Sequence, residues 1–389
     1  MRKARFLAPW HQPDMIAALE AEGLSVEELA ALKGKPAIYH CVSRVVDRRF
    51  VLGEEEREQF VSYMRTYEHF CGLRVLAFCV MSNHFHILLE VPAAPEGRGE
   101  DWSDERLLDH LSRLYSEPQM GMLRWELEHY REQNNSEGAE AFRERYFRRM
   151  WDLSQFMKTL KQRFTRWFNS RQGRKGTLWE ERFKSILVED GHAAQTMAAY
   201  IDLNPVRADM VDDPKDYRWC SYAEAVANVK RAREGLQRVM YEAGAATMAE
   251  ELAAEELVTW RKASYRYRQI LSLALNRGSA QVDVEHARQI SEGEALLCRL
   301  RHLIDGMALG TTPFLENIFR WCRERFGERR QSGARKLRGV DTPLRTLRDL
   351  GGVSNDPSNV ITRSSCASED EDIVPVHGNP FWVPGSPSC

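Results

Sequence analysis

Two short apolar runs, Arg74 to Met81 and His84 to Val91, are separated only by Ser82-Asn83. Runs of that length joined by two polar residues read as a tight β-hairpin, which commits this part of the chain to an antiparallel sheet. The second run opens His84-Phe85-His86. Side chains alternate along a strand, so His84 and His86 share one face while Phe85 and Ile87 point the other way. Such a pair can share a cation, or can be strand residues on a partly polar face. The strand continues Ile87-Leu88-Leu89, and two imidazoles on so apolar an element need a polar partner. Glu90 is the nearby carboxylate, displaced further along the strand and at most an outer partner of such a site.

Around the hairpin the expected order is strand, helix, strand, strand, helices, strand, helix. Residues 14–33 have helical spacing with Ser25 as a cap, and 37–46 form a β-branched strand bounded by Pro36 and Asp47-Arg48-Arg49. A helix follows over 54–71. Residues 92–103 read as loop, and 104–170 as helical with a break near Gln133 to Gly138. A strand is expected from Arg182 to Glu189 and a helix from Gly191 to Leu203, ending before Pro205. That alternation describes an α+β fold, a ferredoxin-like or RRM-like antiparallel sheet with helices on one face. A C-terminal all-α module is expected after it. The organisation is thus 1–34 as a helical extension, 35–222 as the sheet domain with a helical insertion at about 96–150, 223–350 as a helical module, and 351–389 as a disordered tail rich in Ser, Pro and acid.

The chain has 389 residues, enough for a sizeable core, with 29% charged side chains, the balance of a globular protein. Its basic N-terminus is followed by no apolar segment, and no run of eighteen uncharged apolar residues occurs. The expectation is a cytoplasmic protein without a membrane span. Eight cysteines lie scattered without C-x-x-C pairs, which argues against a zinc module and for reduced, buried thiols. Net charge is only −2, but the basic residues cluster.

About a hundred residues after the histidines stands Tyr200-Ile201-Asp202-Leu203-Asn204-Pro205-Val206-Arg207. Tyr200 alone reads more often as a core or interfacial aromatic than as a nucleophile. Asn204 lies one helical turn on, on the same face, where a carboxamide oxygen could join His84 and His86 around a metal while the phenol attacks. A phenol titrates near ~10 and needs a cation or base to act as a nucleophile at neutral pH.

In combination, Ile38-Tyr39-His40-Cys41-Val42-Ser43-Arg44, Met81-Ser82-Asn83-His84-Phe85-His86-Ile87-Leu88, Gly176-Thr177-Leu178-Trp179-Glu180-Glu181-Arg182-Phe183-Lys184-Ser185 and the Tyr200 to Ala208 motif resemble the single-tyrosine HUH transposases, most closely the REP-associated tyrosine transposase branch. The resemblance spans roughly residues 35–222. It implies His84 and His86 as the metal pair, Asn204 as third ligand, Tyr200 as nucleophile, and Mg²⁺ or Mn²⁺ as the ion. The implied reaction is cleavage and rejoining of single-stranded DNA at hairpin sites through a 5′-phosphotyrosine, with a homodimer left open as the assembly.

From Lys158 to Lys184 there are nine Lys/Arg against two acids, interleaved with Phe164, Trp167, Phe168 and Trp179. Basic side chains take phosphates and aromatics stack on unpaired bases, although Phe164 and Phe168, four apart, fit the buried face of an amphipathic helix better. The DNA-contact set expected in the core is Arg44, Arg171, Arg174, Lys175, Trp179, Arg182, Lys184 and Arg207. A second cluster, ten Lys/Arg against three acids between Arg320 and Arg348, adds Arg335, Lys336 and Arg338. The rivals are a non-catalytic, repressor-like nucleic-acid binder and a metal-dependent phosphodiesterase using activated water. Neither requires Tyr200.

Overall fold

The computed structural model describes residues 6–21, 23–241, 259–275, 290–291, 296, 306–337 and 340–348. The N-terminal helices are α1 (Pro13–Ala21) and α2 (Val26–Lys33). At α2 the Ser25 hydroxyl accepts from the Glu28 N–H while the Glu28 carboxylate accepts from Ser25, a reciprocal cap. Strand β1 (Ala37–Arg44) leads to α3 (Glu54–Cys71), then to the hairpin of β2 (Arg74–Val80) and β3 (His84–Val91). Three acids open α3 and Gly72, at φ 63°, ends it in the left-handed conformation that a residue without Cβ adopts readily.

The region expected as an insertion holds α4 (Asp104–Ser112), α5 (Glu117–Glu132) and α6 (Ser136–Phe147). Buried Arg143 ties it together by donating to Asp104 and to the Gly99 and Trp102 carbonyls. The basic segment begins as α7 (Leu153–Arg171), capped by Asp152, and runs into β4 (Lys184–Val188). Next come α8 (His192–Asp202), α9 (Asn204–Arg207), α10 (Ser221–Val226), α11 (Lys230–Met240) and α12 (Trp260–Leu275). The remaining described elements are β5 (Ile290–Ser291), β6 (Ala308–Gly310), α13 (Thr312–Trp321), β7 (Arg335–Lys336), β8 (Val340–Asp341) and β9 (Arg345–Leu347).

Seven strands form one sheet in the order β2-β3-β1-β4-β6-β9-β7, antiparallel except for β4 against β6; β5 and β8 pair separately. The α+β class and the central antiparallel sheet agree with the sequence reading. Two details differ. Helices cover both faces: α3 and α7 pack with Tyr39, Cys41, Phe85, Ile87 and Leu187, whereas α8, α11 and α12 pack with Ile38, Cys79, Leu88, Ile186 and Val188. The part after residue 222 is also not all-α, because β6, β7 and β9 lengthen the same sheet. Strands of two or three residues are too short to carry a period-2 signal. The expected tail 351–389 lies outside the described residues.

Candidate active site

β1 and β3 pair in the register Arg44↔His84, Val42↔His86 and His40↔Leu88, so His84, His86 and His40 project from the face that α8 covers. His84, at the strand's start, is half-buried, and His86 is 1% exposed. His40 stacks on His86 with ring planes 8° apart, and its Nε2 lies 2.9 Å from His86 Nδ1. Burial first, then the charges of His84, His40, Arg207 and Arg44, holds His86 well below the usual imidazole range. His86 is therefore neutral at physiological pH.

A turn fixes the outer imidazole. Asp47 and Arg48 take positive φ, 56° and 52°, and the Asn83 carboxamide nitrogen donates to the Arg48 carbonyl at 3.0 Å. That bond decides which end of the carboxamide faces His84, whose Nδ1 lies 2.6 Å from Asn83 Oδ1. A carboxamide oxygen only accepts, so His84 carries its proton on Nδ1.

Tyr200 occupies the last turn of α8, its ring 6.3 Å from that of His86 and edge-on to it at 81°. It is 1% exposed. The Arg207 guanidinium lies over its ring at 3.9 Å, and Arg207 Nη1 donates to the carbonyls of Tyr200 (2.9 Å) and Leu296 (2.7 Å). Arg207, expected on DNA, thus clamps the helix end and the phenol. The buried Asn204 amide turns back on the preceding helix, α8, donating to the Ile201 carbonyl at 3.1 Å. Between them, fully buried Asp202 accepts from Ser221 Oγ (2.7 Å), the Tyr222 N–H (3.1 Å) and Tyr267 Oη (2.6 Å). Burial raises its carboxyl to about 6, against the lowering effect of those donors.

Among the described residues no cluster of three or more His, Cys, Asp or Glu could hold a metal ion. Cys79, paired across from His86, is a fully buried thiol whose ionisation burial disfavours. Glu90 lies at the far end of β3, bound by Arg74 at 3.0 Å and Arg238 at 2.7 Å. The fit to a divalent cation therefore rests on the two imidazoles of His84 and His86, with oxygen donors needed for the remaining positions.

The basic segment forms a groove of roughly 1250 Å³ between α7 and residues 177–183, lined by Lys158, Lys161, Arg166 and Arg182 and by Glu180 and Glu181. Lys175, Arg182 and Lys184 are exposed, Arg174 lies over Phe168, and Arg171 pairs with Glu55. Arg44, opposite His84, is half-buried. Trp179, expected to stack on a base, is instead 6% exposed, meets Phe85 edge-on and donates its indole N–H to Thr165 Oγ1 at 3.0 Å. Phe164 and Phe168 are buried as the helical spacing suggested. Arg335 and Lys336 are exposed on β7, and Arg338 lies outside the described residues. Sequence reasoning missed His40 and Asn83 as partners of the histidines. Asn83 adjoins His84, but the pairing of His40 with His86 depends on a register set 46 residues apart.

No described helix is long and apolar enough to cross a membrane. No curated relative matches the chain. Among solved structures, one described as the structure of a REP-associated tyrosine transposase bound to a REP hairpin shares 14% identity, covering 49% of this chain and 79% of that chain with a TM-score of 0.31. Residues 35–96, the span of β1, α3 and the hairpin that carries His84 and His86, match the family model described as "Transposase IS200 like", and over that span the chain is similar to this family.

Proposed function

We propose that this protein is a metal-dependent transposase that cleaves and rejoins single-stranded DNA at hairpin sites through Tyr200. The observation that carries the reading is the meeting of Tyr200 with the His pair: two elements over a hundred residues apart bring a phenol edge-on to a neutral imidazole 6.3 Å away. The phenol oxygen forms a bond to phosphorus as the bond to the 3′ oxygen breaks. The phenol's proton is lost and the departing oxygen gains one, leaving a 5′-phosphotyrosine and a free 3′-hydroxyl. That hydroxyl reverses the step on the same or another strand, so no hydrolytic water is consumed. Arg207, over the ring, sits where negative charge gathers as the phenol gives up its proton. Bound at His84 and His86 with Asn204, Mg²⁺ or Mn²⁺ would polarise the phosphodiester. The groove of Lys158, Lys161, Arg166 and Arg182 supplies phosphate contacts, with Lys175, Lys184, Arg335 and Lys336 as further exposed cations.

The burial of Tyr200 favours one second reading, binding without chemistry, because a tyrosine 1% exposed is also a core aromatic. Incubation of the protein with labelled single-stranded DNA bearing the palindromes that flank its gene, with Mn²⁺ or Mg²⁺, separates the readings on a denaturing gel beside Tyr200→Phe. A covalent band lost in the variant is the expected result. Binding without an adduct would establish the repressor-like reading, and cleavage that survives the substitution would point to activated water.

A further inference from the structure

Histidine binds a metal through a nitrogen lone pair, so a ligand pair works only when both rings carry their protons on the other nitrogen. His84 meets that condition: its Nδ1 proton is given to Asn83 Oδ1 at 2.6 Å, and Asn83 is itself fixed by the Arg48 carbonyl at 3.0 Å. His86 has one nitrogen engaged as well, Nδ1, held 2.9 Å from His40 Nε2 with the rings nearly parallel. We propose that Asn83 and His40 are positioning residues, which keep the ring protons of His84 and His86 on Nδ1 and so leave both Nε2 lone pairs for one divalent cation. The inference rests on the reading of His84 and His86 as the metal pair.

The arrangement has a cause in the fold. Asn83 stands at the hairpin turn, where its main-chain carbonyl also accepts from the Val45 N–H at 2.8 Å, so side chain and backbone are tied to the same crossing between β1 and α3. His40 is 1% exposed and reaches His86 diagonally across the β1–β3 ladder from its own place opposite Leu88. If His40 donated to His86 instead, the His86 proton would move to Nε2 and that ring could not serve as a ligand.

Two measurements on the full chain decide the matter. In ¹⁵N-histidine-labelled metal-free protein, ring nitrogen shifts should place the proton on Nδ1 in both His84 and His86; a proton on Nε2 of either would overturn the proposal. Mn²⁺ affinity, read from the electron paramagnetic resonance signal of free Mn²⁺, should fall about 10- to 100-fold in Asn83→Ala and in His40→Ala. It should return in part in Asn83→Asp, which keeps the acceptor oxygen for His84 but loses the donor to the Arg48 carbonyl. Alanine variants that stay folded by circular dichroism and bind Mn²⁺ within about twofold of the parent would refute the positioning role, whereas His84→Ala without effect on Mn²⁺ binding would refute the metal-pair reading beneath it.

Discussion

Asp202 offers a sharp test of how the site's helix is held. Its carboxylate is fully buried, takes three hydrogen bonds, and is raised from 3.8 to about 6. A raised folded-state value means that the native protein holds this proton more tightly than the unfolded chain does. The corresponding stability is full below about pH 4 and is lost as pH rises through 6. A shift of about two units at ~1.4 kcal/mol each is about 3 kcal/mol across the whole window, of which about 1.4 kcal/mol falls between pH 5 and 8. Asp202→Asn cannot ionise and keeps an acceptor for Ser221 and Tyr222, while the Tyr267 hydroxyl can turn to accept. The variant should therefore gain about 1.4 kcal/mol on the parent between pH 5 and pH 8, whatever the offset between them at either end. Urea unfolding at several pH values, followed by tryptophan fluorescence, measures the difference, and all other titrations cancel in it. Parallel stability curves for the two proteins would refute the reasoning.

Three other outcomes follow from the packing. Gly235 in α11 lies so close to β2 that an added Cβ would stand 2.6 Å from the Val75 carbonyl and 2.8 Å from that of Leu76; Gly235→Ala should lower stability by about 1–3 kcal/mol in urea titration despite alanine's better helix propensity. Arg238→Ala strips buried Glu90 and Asp190 of a shared partner and should cost about 2 kcal/mol, less than a fully isolated charge because Arg74 still holds Glu90. Replacing Lys158 and Arg182 together by alanine should weaken single-stranded DNA binding and reduce the slope of log affinity against log salt by about 2; an unchanged slope would remove the groove from the DNA path.

The hairpin and the common face of His84 and His86 were legible because alternation over eight residues is a local signal, and the structure gives β3 the bounds His84–Val91. The α3 helix was legible because helical spacing is also a local signal. What alternation cannot show is what lies across a strand. The stacking of His40 on His86 and the return of the Asn204 amide to α8 depend on register and on the fate of one amide. Trp179 shows the matching limit for aromatics, since interleaving with basic residues looks the same whether an indole faces a base or fills a core. The helices on the second face were read as elements, but only their docking on the His side reveals that Tyr200 is covered.

The parallel ladder within the seven-stranded sheet, between β4 and β6, bears on how the molecule can be divided. Leu187 N–H donates to the Met307 carbonyl and Glu189 N–H to that of Leu309, and the Glu189 carboxylate accepts from the Thr311 hydroxyl. The strand that leads into the helix carrying Tyr200 is thus sewn along its outer margin by chain 120 residues downstream. A fragment ending after α10 would carry the His pair and Tyr200 yet leave that margin raw, a template for any passing strand. Its first expected property is self-association, and a soluble fragment with the parent's unfolding midpoint would show that the seam contributes nothing.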